Sequence, residues 1–392
     1  MKTSRLVARF ALLTTPLLTL LPTPPLNAEA AAQPPTVDPQ NVRSEQWHLR
    51  YLKIEDAHKI STGSGITVAV LDTGVYPHPD LQENLLSGTD LTDEGRGDGR
   101  QDRDGHGTGM AGIIAAHGQS LRHGALGIAP QANVLPVRFK RDGPQGTADG
   151  LREAIKYATR NGARVISISS TGAPDVGMQQ AIQEAAQADI VLVAAAGNQP
   201  DDRQVGFPAA YPNVVAVGGI DHQGRPAKIS VSGAEIDVVA PAVEIYSTSI
   251  GGRYRVGTGT SGATAIVAGA AALVRAKYPY LPADEVAHRL TATAIDKGPP
   301  GRDDQYGYGV IDLVAALTAD VPPRGFGSAS ASAPGGAGPT TAAAERPRAD
   351  GERAATVRGL VTLGVLVAAG GAWVVFARRR RRSDDPPPRI SR

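Results

Sequence analysis

The sequence predicts an α/β protein, a doubly wound and mainly parallel sheet with helices on both faces, followed by a single C-terminal transmembrane helix. Three observations predict it. Between residues 61 and 320, short runs of Val, Ile and Leu alternate with segments of helical period. Strands that are apolar at nearly every position are covered on both faces, as in a parallel sheet between helices. Residues 359–377 (GLVTLGVLVAAGGAWVVFA) carry no charge, and as a helix would be about 28 Å long, enough to cross a bilayer core. Finally, 41% of the 392 residues are hydrophobic but only 4% aromatic, with 46 Gly and 30 Pro. A sizeable core, many tight turns and one unstructured stretch fit that composition.

The elements follow in order. Residues 66–71 (ITVAVL) form a strand, and 133–139 another. Leu151, Ala154, Ile155 and Ala158 recur at helical spacing, with Asp149 near the start and Gly162 past the end, an amphipathic helix with its stop signal. Residues 164–168 (RVISI) are a strand. Met178, Ala181, Ile182 and Ala185 repeat the helical pattern, and 190–195 (IVLVAA) and 214–217 return to strand. Residues 261–277 are apolar almost all round, which suits a helix at the centre of the protein. No internal repeat is present.

The two ends of the chain read differently from its body. Residues 1–30 have a basic start (Lys2, Arg5, Arg9), an apolar run over 10–21 and the small-residue pattern Ala28-Glu29-Ala30, the layout of a secretory signal. A short extension, 31–60, leads into the body at 61–320. Residues 321–357 are rich in Pro, Gly, Ala and Ser and nearly free of large apolar side chains, so they read as a flexible tether. The span is set at 358–378. Five consecutive arginines, Arg378 to Arg382, sit at its end and lead into a basic tail, 379–392. A cationic block beside a span stays on the cytoplasmic side. The body is then extracytoplasmic, at the cell membrane. Of the net charge of +2, the first ten residues hold +3 and the last fifteen +5, which leaves −6 for the residues between. That distribution gives no support to nucleic-acid binding. With no Cys in the chain, a disulfide framework, a thiol nucleophile and a thiolate zinc site are excluded.

Three local signals carry chemistry. In Val68-Ala69-Val70-Leu71-Asp72-Thr73-Gly74, a carboxylate ends an apolar strand, where the crevices of parallel sheets lie. In Asp104-Gly105-His106-Gly107-Thr108-Gly109, an imidazole stands among glycines before a small-residue helix. In Gly257-Thr258-Gly259-Thr260-Ser261-Gly262-Ala263, a hydroxyl opens the buried helix, where backbone N–H groups can stabilise an oxyanion. Each alone has an ordinary explanation: a turn, a surface histidine, a helix cap. Together they supply what a serine nucleophile needs, an imidazole to take its proton and a carboxylate to orient the imidazole.

At these residues the chain resembles the subtilisin-like serine proteases (subtilases). The resemblance covers roughly residues 60–318 and rests on LDTGV, DGHGT, AAAGN and GTSGA in that order, with the subtilisin order of Asp, His and Ser. It implies a subtilisin-like fold and serine endopeptidase activity. Asp72 would be the orienting carboxylate, His106 the general base and then acid, Ser261 the nucleophile, and Asn198 the side-chain oxyanion donor. Ser167, Ile168, Ser169, Ser170, Thr171 and Gly172 would match the segment that pairs with an extended polypeptide substrate by strand addition. The chain departs from the family pattern at Gly109, Gly262 and Ala265, where relatives usually carry His, Met and Pro, and none of these changes removes a reacting group.

No cofactor and no metal motif are expected. Calcium is the one cation the resemblance suggests. Asp90, Asp93, Asp98, Asp102 and Asp104 share one loop, but their spacing matches no EF-hand, so they read as a solvated acidic loop. The layout of signal, extension, stalk, span and basic tail looks like a mycosin, one of the membrane-anchored subtilases associated with type VII secretion. At about 30 residues the extension is too short to fold alone and is expected to pack along the catalytic body. Two functions stay open: cleavage of exported proteins at the outer membrane face, or a structural role in a secretion complex with weak or no proteolysis.

Overall fold

The computed structural model describes residues 38–324, apart from 93, 94, 96, 121 and 142–145. The expected signal, nearly all of the tether, the span and the basic tail lie outside the described residues. Among the described residues, no helix is long and apolar enough to cross a membrane.

Three short helices come first: α1 (Val42–Glu45), α2 (Trp47–Tyr51) and α3 (Ile54–His58). Then follow β1 (Thr67–Asp72), β2 (Thr89–Asp90), α4 (His106–Ala115), β3 (Asn133–Arg138), α5 (Ala148–Arg160), β4 (Val165–Ile168), α6 (Val176–Gln187) and β5 (Val191–Ala195). The last strands of the sheet are β6 (Val214–Ile220) and β7 (Val238–Pro241). A hairpin of β8 (Ile245–Thr248) and β9 (Tyr254–Gly257) precedes α7 (Thr260–Lys277), α8 (Ala283–Ala292) and α9 (Leu313–Thr318).

The sheet has seven strands in the order β2-β3-β1-β4-β5-β6-β7, and every pairing within it is parallel. The chain departs from β1 toward β3 on one side and β4 on the other. That reversal marks the carboxyl end of β1 as the place for a ligand crevice.

Strand parity decides which side chains meet there. Val68 and Val70 face the core that contains Ile113 of α4 and Ile266 of α7. Ala69 and Leu71 face the opposite core, with Ile155 of α5 and Ile182 of α6. Asp72 shares the parity of Val68 and Val70, so its carboxylate turns toward α4 and α7. α7 is Ala-rich and almost wholly buried, and it brings Ser261 to that same side. The caps follow side-chain chemistry: Thr147 accepts from Gly150 N at the start of α5, and Asp175 from Met178 N at α6.

Residues 41–60 lie along the body rather than apart from it. Gln46 is fully buried: its Nε2 donates to Leu126 O (3.0 Å) and Tyr246 O (3.1 Å), and its Oε1 accepts from Leu126 N (2.8 Å). Trp47 Nε1 donates to Val243 O, and its ring stacks on His222 at 4.2 Å. Leu49, Leu52 and Ile54 join the core beneath α4 and α7.

Candidate active site

Asp72 ends β1 and is 1% exposed. His106 opens α4, and its Nδ1 lies 2.9 Å from both Asp72 carboxylate oxygens. The approach depends on a missing side chain. A Cβ on Gly107 would stand 2.1 Å from Gly74 O and 3.0 Å from Asp72 Cβ, so only glycine lets α4 start against the end of β1. Thr73 ties the two segments further, its Oγ1 donating to Asp102 (2.9 Å) and accepting from Gly107 N (3.0 Å).

Burial pushes the Asp72 carboxyl up. The His106 imidazole, the Lys140 ammonium and the Thr73 N–H outweigh that and hold it well below the usual carboxylate range. An ionised carboxylate can only accept, so the proton of the neutral imidazole sits on Nδ1 and the Nε2 lone pair is free to act as a base.

His106, Asn198 and Ser261 line one cleft of about 800 Å³. Ser261 is the second residue of α7, and its backbone N–H makes no hydrogen bond among the described residues. The Asn198 amide is oriented by chemistry. Its side-chain oxygen accepts from Thr260 N (2.9 Å), a contact that only the oxygen can make, which leaves the Nδ2 donor toward the cleft. Asn198 N is itself held by Asp202 (2.8 Å). Both hydrogen bonds of the His106 ring are at Nδ1, and none joins Ser261 Oγ to Nε2. In unliganded serine enzymes that contact is often long and tightens on binding.

This arrangement has relatives. The Subtilase family (Peptidase S8) matches residues 63–309. The chain belongs to the subtilase family. It is 36% identical to Subtilisin Savinase of Lederbergia lenta over 276 residues, covering 70% of this chain and 99% of that protein. It is 35% identical to Mycosin-1 of Mycobacterium tuberculosis over 349 residues, covering 74% and 77%. Among solved structures it is similar to MycP1 from Mycobacterium smegmatis, with a TM-score of 0.64, 32% identity and coverage of 74% and 89%. It is also similar to a serine protease MycP1 described as an essential component of the type VII (ESX-1) secretion system, with a TM-score of 0.65, 35% identity and coverage of 72% and 91%. The fold is therefore that of a subtilisin-like serine protease related to the mycosins.

The structure divides the expected substrate segment of this subtilase. Ser169, Ser170, Thr171 and Gly172 line the cleft, and Ser169 Oγ donates to Ser261 O (3.3 Å). Ser167 and Ile168 do not reach it. Both are buried inside β4, and Ile168 belongs to the α5–α6 core. Strand residues with covered faces on both sides have no cleft to meet.

The acidic loop is not the solvated run its composition suggests. Asp102 is buried, and its carboxylate accepts from the N–H groups of Asp104, Gly105 and Thr108 and from the hydroxyls of Thr73 and Thr108. It caps the N-terminus of α4, where negative charge is favoured, and so fixes the helix that presents His106. Asp90 pairs with the buried Arg138 guanidinium (2.9 Å). Asp98 is half-exposed beside Arg100 (3.6 Å). Among the described residues, no three His, Asp or Glu side chains are grouped to hold a metal ion.

Lys140 carries a role the sequence did not signal. Its Nζ lies 3.4 Å from Asp72 Oδ2 and donates to Ser169 O (3.3 Å). Nothing in the local sequence after β3 pairs a lysine with a carboxylate 68 positions earlier. The β1–β3 register does, by setting Asp72 opposite Arg138, two residues before Lys140.

Proposed function

We propose that this subtilase is a membrane-anchored, extracytoplasmic endopeptidase in which Asp72, His106 and Ser261 form the triad. The observation that carries the reading is the doubly hydrogen-bonded pair of Asp72 and His106 Nδ1, in a cleft that Ser261 also lines. His106 Nε2 takes the Ser261 Oγ proton as the oxygen attacks the scissile carbonyl, and then gives it to the leaving amine. Asp72 holds the tautomer and stabilises the imidazolium. Asn198 Nδ2 and the Ser261 N–H receive the developing oxyanion, in a site where a single such donor is typically worth about 10²–10³ in turnover. Residues 169–172 take the extended substrate.

The anchor rests on the uncharged run 359–377 and the arginines that follow it. Association with a type VII secretion membrane complex rests on the likeness to Mycosin-1 and MycP1. That likeness also supports a second reading, in which the protein serves chiefly as a structural partner there.

Labelling with a fluorophosphonate probe tests the triad. Wild type should label and Ser261→Ala should not, and folded wild type that fails to label would remove the proteolytic reading. Carbonate extraction of membranes tests the anchor: the full chain should stay in the pellet, and a chain ended at residue 357 should not. Secretion that survives Ser261→Ala but is lost with the anchor would favour the structural role.

A further inference from the structure

The cleft has two walls. One is formed by residues 169–172 at the end of β4. The other is formed by α4 and the β8–β9 hairpin, and Met110, Ile113, Ile245, Ser247 and Arg255 line it.

Arg255 stands out on this second wall. The hairpin register sets Arg255 opposite Ser247, on one face. Ser247 Oγ donates to Gly109 O (2.7 Å), so that face looks onto α4. Arg255 Cδ lies 3.1 Å from where a Cβ on Gly109 would stand. The bare backbone at Gly109 thus makes room for the arginine stem along the helix. The side chain is half-buried, yet among the described residues no carboxylate or carbonyl pairs with its guanidinium. The nearby carboxylates are engaged otherwise: Asp202 holds Asn198 N and Thr171 Oγ1, and Asp104 has a partner of its own. Asp201 lies exposed on the turn that follows Asn198.

The floor beside this cation is apolar and open. The atoms nearest a Cβ on Gly262 would belong to Ile245 and Ile113, at 3.5–3.8 Å, and one on Gly257 would meet nothing within 4 Å. A half-buried arginine whose guanidinium has no protein partner among the described residues, at the rim of an apolar recess, is matched by a carboxylate on a short aliphatic stem.

We propose that this wall is a subsite for an acidic side chain, glutamate above aspartate, on the leaving-group side of the cut, with Arg255 as its specificity-determining residue. The side follows from the resemblance to the subtilases, in which the segment matching residues 169–172 lines the pocket for the residue before the cut. The assignment rests on the proteolytic reading given above.

The test uses the full chain in detergent, one portion labelled with a fluorophosphonate and a second, unlabelled portion given a peptide library whose products are read by mass spectrometry. Wild type should enrich Glu at the first or second position after the cut. Arg255→Gln should lower kcat/KM for a Glu-containing peptide by about 10- to 100-fold, while leaving the Gln-matched peptide nearly unchanged. Arg255→Glu should move the preference to Lys or Arg. Protein that labels at Ser261 and cleaves without acidic enrichment, or whose acidic preference survives Arg255→Glu, overturns the assignment and leaves the protease reading standing. Folded protein that never labels overturns both.

Discussion

Lys140 Nζ sits 3.4 Å from Asp72 Oδ2, with both side chains 1% exposed. The orienting carboxylate is therefore shared between a fixed cation and the imidazole it serves. The ammonium also donates to Ser169 O (3.3 Å), so it ties the carboxylate to the strand end beside the cleft. Lys140→Met keeps the volume and removes the charge. It takes from the buried Asp72 carboxylate one of the charges that hold it ionised, and fluorophosphonate labelling and kcat/KM should both fall by about 10-fold. Unchanged rates would mean that the ammonium only fills space.

The Asp102 carboxylate accepts five hydrogen bonds at the start of α4. Asp102→Ala leaves those donors without a partner in a buried site, and each such donor costs about 1–3 kcal/mol where water cannot reach it. We expect a loss on the order of 3–5 kcal/mol in urea unfolding, together with slower fluorophosphonate labelling as His106 loses its register with Asp72. Asp102→Asn retains part of the acceptor set and should fall between. Unchanged stability in the alanine variant would remove Asp102 from the support of the site.

What the sequence could and could not announce follows from where each signal resides. β1, β3, β4 and β5 are written mostly in Val, Ile, Leu and Ala, and α5 carries its own periodicity and stop. β7 is cut off by Pro241, and β8 and β9 mix Tyr246, Ser247, Thr248, Arg255 and Gly257 into their runs, so no apolar pattern accumulates there, and the hairpin packs against α4. Asp72, His106 and Ser261 stood out because glycines flank each of them. Lys140, Asp102 and Arg255 did not, because their meaning lies in partners brought in by strand register or helix packing. The local string SISSTG does not show where β4 ends and the cleft begins, so Ser167 and Ile168 read with the substrate segment although both are buried inside β4.

Asn198 offers a clean separation of two roles. Its oxygen accepts from Thr260 N, and its Nδ2 is left for the cleft. Asn198→Asp keeps an acceptor for Thr260 and replaces the donor with a second oxygen. Turnover should drop by about 10²–10³, with the thermal midpoint little changed. Asn198→Ala should lose both turnover and some stability, since the Thr260 N–H is then left unpaired. Equal turnover in the aspartate variant would remove Asn198 from the oxyanion site.

The extension makes the body sensitive to acid most strongly through His48. His48 is fully buried between Trp47 and Leu49, and neither of its ring nitrogens has a hydrogen-bond partner. Burial, with help from the Arg50 charge, lowers its pKa from 6.5 to about 3. The neutral ring is what the folded state accepts, whereas the unfolded chain takes up a proton below pH 6.5. The contribution of this site is therefore complete above about pH 6.5 and is lost progressively as the pH falls toward 3. At pH 5 the loss is on the order of 2 kcal/mol. Unfolding free energies from urea titrations should fall by that amount between pH 7.5 and pH 5 in wild type beyond any fall in His48→Leu, which has no proton to bind at this site. Hydrogen exchange should report the acid opening first in residues 41–60, because Gln46 and Trp47 hold the body through hydrogen bonds on either side of this ring. Equal acid sensitivity in the two proteins would place the titration elsewhere.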